Sequence, residues 1–203
     1  MNRYALTFPV RPGSEAAVAE ILGGYSGPPP GRPQAARPLL DRTSVFMAGP
    51  TVVRVVDITC PPHEAIRHLA GQPQIRAVEE RLRPHLVEDR DLSDEDSRRR
   101  FLSTAVMRVV AQHGGPTSHA ARTAVLYQAE PGAGADVARM LAEQEQDRDE
   151  GGVTVFRRRD LVVHLVEGPA DAPFALPPES VIAHVRSALP MTLVTDRIVE
   201  RVS

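Results

Sequence analysis

Arg54 interrupts the apolar run Val52-Val53-Arg54-Val55-Val56, and it is the residue here whose setting most demands an explanation. A run so rich in β-branched residues reads as a central strand. The two-residue period puts Val52, Arg54 and Val56 on one face and Val53, Val55 and Asp57 on the other. A guanidinium in that place needs a partner or a wet cavity, because an unpaired buried charge is costly. Two readings stay open: a structural tie to Asp57, Glu79 or another carboxylate, or a polar wall of a cavity. His164 holds the matching place in a second apolar run, Leu161-Val162-Val163-His164-Leu165-Val166. Two ionisable groups at equivalent strand positions are what a polar-lined cavity would show, and they nominate Arg54 and His164 as catalytic candidates, with His68 and His85 behind them. His68 falls on a helix, where packing or exposure is the commoner role, and His85 stands near a possible strand end at the mouth of such a cavity. Tyr4 and Tyr127, Phe46 and Phe156, and Arg42 are the candidates for holding a substrate.

Other chemistries are excluded by composition. All 24 basic residues are Arg, so Schiff-base chemistry and a P-loop lysine are ruled out. Cys60 is the lone cysteine and makes neither an internal disulfide nor a multi-thiolate metal site. HExxH, CxxC, GxGxxG and GxSxG are all missing, so no metal, no redox cofactor and no serine nucleophile is expected. An enzyme built from these residues would work by acid, base and electrostatics. The net charge of -2 gives no footprint for nucleic acid or an anionic membrane. No signal-like h-region opens the chain and no run reaches the ~18 apolar residues of a membrane span, so a cytoplasmic protein is expected.

The elements that would position these residues come in two copies. Tyr4-Ala5-Leu6-Thr7-Phe8, then Arg11-Pro12-Gly13, then Val18, Ala19 and Leu22 recur as Thr123-Ala124-Val125-Leu126-Tyr127, Glu130-Pro131-Gly132, and Val137, Ala138 and Leu141. Downstream, Val45-Phe46 recurs as Val155-Phe156, and the Arg54 run as the His164 run. Each copy reads strand, helix, strand, strand, helix, strand, which is a ferredoxin-like unit. The expected fold is α+β: tandem ferredoxin-like βαββαβ repeats packed as an intramolecular dimeric α+β barrel. The repeats are placed at 1–112 and 122–203, with a linker at 113–121. The proline-rich segment from Gly27 to Pro33 is a loop, since successive prolines lack donors. The fourth strand of the first repeat has two candidate positions, His85 to Glu88 and Met107 to Ala111. In the second repeat a helix from Glu179 to Ala188 and a strand from Thr192 to Val199 are expected. The charged run from Glu88 to Arg100 reads as a helix start with Ser93 as its cap, needing no function.

Arg3-Tyr4-Ala5-Leu6-Thr7-Phe8, Arg11-Pro12-Gly13, Thr43-Ser44-Val45-Phe46, Val53-Arg54-Val55 and Glu88-Asp89-Arg90-Asp91-Leu92-Ser93 together resemble the SchA/CurD-like proteins of bacterial spore-pigment and aromatic polyketide clusters. That resemblance covers the chain to about Phe101; the second half is similar to the broader dimeric α+β barrel group. It implies action on a poly-β-ketone, presented to the protein as a small aromatic polyketide intermediate with an acyl carrier protein as candidate carrier, by a monomer or homodimer. A neutral His would take the proton of a methylene between carbonyls while Arg54 stabilises the enolate oxygen. Such a cyclase or aromatase needs no metal and no other cofactor. The alternatives are a cofactor-free monooxygenase and a non-catalytic accessory protein of the synthase.

Overall fold

The computed structural model describes residues 2–24, 40–114, 120–146, 151–169 and 177–198. In chain order the elements are β1 (Asn2–Pro9), α1 (Glu15–Gly23), β2 (Leu40–Ala48), β3 (Thr51–Ile58), α2 (Pro62–Ala70), α3 (Pro73–Leu82), a 3-10 turn (Arg83–His85), α4 (Glu95–Ala105) and β4 (Val106–His113). Then follow β5 (Ala121–Ala129), α5 (Gly134–Gln144), β6 (Gly152–Arg158), β7 (Leu161–Gly168), α6 (Glu179–Ile182), β8 (Val185–Pro190) and β9 (Thr192–Ile198). The class is α+β. Two compact units divide the chain: Met1–Val106 with Val194–Ser203, and Met107–Leu193.

In the first unit the strand order is β1-β3-β2-β9, with β3 antiparallel to both β1 and β2. The second unit reads β8-β5-β7-β6-β4, with β5 between β7 and β8 and with β6 between β7 and β4. Each unit thus has a strand-helix-hairpin module at its centre, and beside the second strand of that module lies a strand from the far side of the other module. β4 follows the first module in sequence yet lies beside β6, and β9 follows the second yet lies beside β2. That path answers the question of the fourth strand: Met107 to Ala111 lies within β4, whereas His85 ends the 3-10 turn and Leu86 makes only an isolated bridge to Val10.

Period-two alternation gives each sheet a helix-facing side and an opposite side. On the helix side of the first unit, Val45, Met47 and Val52 pack with Val18, Ile21 and Leu22 of α1 and Leu82 of α3. In the second unit Val125, Tyr127, Val153, Val155 and Val162 pack with Val137, Ala138 and Leu141 of α5. The opposite sides are closed as well: Ala5, Phe46, Val53 and Val55 in one unit and Phe156, Val163 and Leu165 in the other are buried. The turns leaving β1 and β5 repeat too. Gly13 and Gly132 both sit at φ +85 with open space where a Cβ would be, so backbone conformation alone selects glycine there.

The opposite sides carry charge. Arg3 and Asp57 are cross-strand partners and form a buried two-bond pair, Nε to Oδ1 at 2.7 Å and Nη2 to Oδ2 at 3.2 Å. Arg122 and Glu167 are cross-strand partners in the same way, with Nε to Oε1 at 2.9 Å, and both are buried. Superposing Pro12-Gly13 on Pro131-Gly132 sets Arg3 on Arg122, so the tie occupies the same place in each unit. Arg42 adds a third pair with Asp196 of β9, whose Oδ1 also accepts from Ser44 at 2.8 Å.

Two local expectations change. Asp94, not Ser93, caps α4, its Oδ1 accepting from the Ser97 amide at 2.7 Å; Ser93 instead folds onto Asp91. The expected helix from Glu179 to Ala188 ends at Ile182, and from Val185 the chain pairs with β5 as β8, because that edge offers ladder partners a helix would leave unused. His184 lies between the two, exposed. The proline-rich loop and most of the expected linker lie outside the described residues.

Asp57→Ala removes the buried carboxylate that both of these Arg3 bonds reach and is expected to lower the unfolding free energy by about 3–5 kcal/mol, while the double change Arg3→Met with Asp57→Leu recovers most of that loss. Urea denaturation of the three proteins checks this; equal losses in the single and double variants would show that packing, not charge matching, is at stake.

Candidate functional site

Between the helix-facing side of the first unit's sheet and its helices lies a cavity of about 110 Å³. Tyr4, Leu6 and Phe8 of β1, Thr43 and Val45 of β2, Arg54 and Val56 of β3, and Thr195 and Arg197 of β9 form its floor. Leu22, Ala65, Ile66, Ile75, Leu82 and Phe101 roof it from α1, α2, α3 and α4. The surface is mostly hydrocarbon. Its charged groups are three guanidinium groups, on Arg54, Arg90 and Arg197, and one carboxylate, on Glu79. Engineered apolar cavities of about 150 Å³ accept benzene, so this space suits a ligand part the size of one ring.

The rim is a layered contact. Arg90 holds Glu79 through two bonds, Nε to Oε2 at 2.8 Å and Nη2 to Oε1 at 3.1 Å. The same guanidinium lies 4.3 Å from the Phe8 ring centre and 4.4 Å from that of Phe101, and the two rings meet edge-on at 6.3 Å. A cation between two faces of negative π-density is held electrostatically as well as by its carboxylate. Beyond this pair a polar cleft of about 190 Å³ opens, flanked by Arg76, Arg83, Asp91 and Ser93 and sharing Glu79, Arg90 and Leu92 with the cavity. Glu79 and Arg90 therefore stand between an apolar chamber and a polar vestibule.

Of the residues nominated from sequence, Arg54 and Tyr4 line the cavity. Arg54 lies on the face expected from alternation; Asp57 lies on the other and pairs with Arg3, and Glu79 pairs with Arg90. His68 is exposed on α2, and His85 is in the 3-10 turn with Nδ1 3.1 Å from Ser14 Oγ. Arg42 and Phe46 face the opposite side of the sheet, Arg42 on Asp196. His164, Tyr127 and Phe156 belong to the second unit, Phe156 on the side away from its helices. There His164 Nε2 is 3.3 Å from Glu145 Oε1, out of line for a hydrogen bond, and both side chains are buried. Tyr127 is 1% exposed, and burial first, then the Glu145 charge, push its phenol up to about 12. Among the described residues, no histidine lines the first unit's cavity. The Cys60 thiol is raised, by burial first and then by Glu64, and so stays protonated and unreactive. Arg90, Thr43, Phe8 and Phe101 are not singled out as site residues from sequence, and Glu79 is named there only as a possible tie to Arg54; Arg90 is hidden in a charged run that reads as a solvated helix start. Among the described residues, no group of three His, Cys, Asp or Glu could hold a metal ion, and no helix is long and apolar enough to cross a membrane.

The SchA/CurD-like domain model matches residues 1–114, more than half of the chain and nearly all of the cavity's walls. The chain belongs to the SchA/CurD-like family. Curated relatives include "Polyketide synthase CurD" of Streptomyces cyaneus, 43% identical over 84% of this chain and 48% of its own, and the "42.8 kDa protein in whiE locus" of Streptomyces coelicolor, 45% identical over 84% and 46%. This SchA/CurD-like chain thus spans about half the length of the curated relatives it matches. Among solved structures an anthrone oxidase-like protein aligns over 97% of this chain and 92% of its own at 10% identity, but with a TM-score of 0.42 that likeness carries no argument.

Two outcomes are expected. Glu79→Gln removes the charge that Arg90 grips and lowers stability by about 1.5–3 kcal/mol, read from denaturant melts. The raised Tyr127 phenol gives a pH effect whose sign is fixed: the unfolded chain loses this proton near pH 10 and the folded one near 12, so stability falls across that window by up to about 1.4 kcal/mol per pH unit. Unfolding curves between pH 9 and 12 should flatten in Tyr127→Phe.

Proposed function

We propose that this SchA/CurD-like domain binds an aromatic polyketide intermediate in the first unit's cavity and steers its ring closure, acting as a cyclase or aromatase. One observation carries the reading: a chamber lined by hydrocarbon, with the Arg54 guanidinium set into its sheet floor. Apolar walls fold a flexible chain and exclude water, converting one of many possible aldol pairings into the favoured one. Arg54 supplies positive charge where an enolate or aldolate oxygen develops. The names of the curated relatives, one a polyketide synthase, support the substrate class.

The proton acceptor differs from the histidine expected from sequence. Among the described residues the wall's carboxylate is Glu79, and it is held by two bonds to Arg90. Methylenes between two carbonyls are acidic enough for a neighbouring substrate oxygen to take the proton once the enolate is stabilised. The domain's contribution is then shape and charge, with Tyr4 as the phenol placed to donate to a carbonyl oxygen.

The test is a reconstitution in which the purified chain is added to a synthase that releases a poly-β-ketone. Arg54→Gln is expected to slow formation of the directed product on the order of 10²-fold and to shift the mixture toward spontaneous cyclisation products. An unchanged product profile with Arg54→Gln would overturn the proposal.

A further inference from the structure

Thr43 lies on the cavity floor one step from Arg54. It is the cross-strand partner of Val56, while Arg54 is the partner of Val45, so the two are diagonal neighbours on one face of the β2–β3 ladder. Its side chain is partly open to the cavity, yet Oγ1 is closed off and, among the described residues, has no hydrogen-bond partner. A buried hydroxyl without a partner is unfavourable, and native chains keep few of them away from functional sites. The open part of Thr43 is therefore not its oxygen. A 120° step about χ1 from one staggered well to another carries the threonine hydroxyl to the place the methyl held and the methyl to that of the hydrogen.

We infer that Thr43 is a substrate-positioning residue: its hydroxyl turns to a ligand oxygen beside the one that Arg54 holds, so that the pair reads the 1,3-dioxygen edge of a β-diketone or of the phenol formed from it. The inference rests on the reading that the ligand occupies this cavity, and it narrows the substrate. Long side chains at diagonal positions reach toward one another across the face, so a ligand with two oxygens a few carbons apart can meet both. A space of about 110 Å³ matches a single ring. The recognised portion is then the first ring closed, or the chain segment about to close it, and not a fused tricycle.

Calorimetric titration of the full chain with 2,6-dihydroxyacetophenone and with acetophenone tests this. The wild-type chain should bind the dihydroxy compound at least tenfold more tightly. Thr43→Val should weaken that compound about tenfold and leave acetophenone unchanged, and Thr43→Ser should keep the wild-type preference. Because Thr43→Val removes an unpartnered hydroxyl at constant shape, it should melt no lower than the parent, which separates lost recognition from lost folding. Wild-type affinities in Thr43→Val for both compounds would overturn the role of Thr43 while leaving the cavity as the binding site. If neither compound binds the wild-type chain, the cavity reading falls and this inference falls with it. Binding of 1,8-dihydroxyanthraquinone as tightly as the single-ring compound would overturn the one-ring limit.

Discussion

A sheet covered on both sides leaves no route to water for a charge on its central strands, and much of this molecule follows from how its arginines meet that constraint. Arg3 and Arg122 are each matched to a carboxylate directly across the ladder, and Arg42 reaches Asp196 on the neighbouring strand. The chain has no lysine, and the planar guanidinium is well shaped for these positions, since its fixed fork engages both oxygens of a carboxylate and its faces lie against rings. Arg90 uses both properties at once, on Glu79 and between Phe8 and Phe101. Such pairs need not add net stability. They fix which strand positions stand opposite one another, since a one-residue slip would strand both charges among aliphatic groups.

The two modules use equivalent positions differently. Arg54 lines a chamber, whereas His164 at the matching place in the second module lies beside Glu145, both side chains buried. Side-chain size contributes. Tyr127 stands where Phe8 stands in the first module, and it is fully packed against α5 while Phe8 is drawn to the rim beside Arg90. The long segment from Arg83 through α4 also has no counterpart in the second module, and it brings Arg90 and Phe101 to the cavity.

Much of this was legible in the residues. Strict alternation placed Arg54 and Asp57 on opposite faces, and the Pro-Gly register that aligns the modules also aligns Arg3 with Arg122, the signal from which the repeated ion pair could have been read. Glu79 and Arg90 were harder. They are 11 residues apart across a turn whose path no periodicity encodes, and a charged run is ordinarily solvated. The neighbours of β4 and β9 were beyond reach for a different reason: hydrophobic alternation tells a strand which face to bury but not which edge to join. Thr43 could not stand out at all, because threonine is common in strands and an unmet hydroxyl is a property of surroundings.

The path of the chain bears on how it comes off the ribosome. Asp196 meets Arg42 across 154 residues, and β9 borders β2 from beyond the whole second module. During vectorial synthesis the leading module emerges with one flank of its sheet bare, and no amount of waiting completes it until β9 has been made. An exposed strand border of that kind invites intermolecular pairing, and closing so large a loop slows the last folding step. Nascent chains of this design are thus most vulnerable in the interval between the appearance of β2 and that of β9, when a chaperone would matter most to yield.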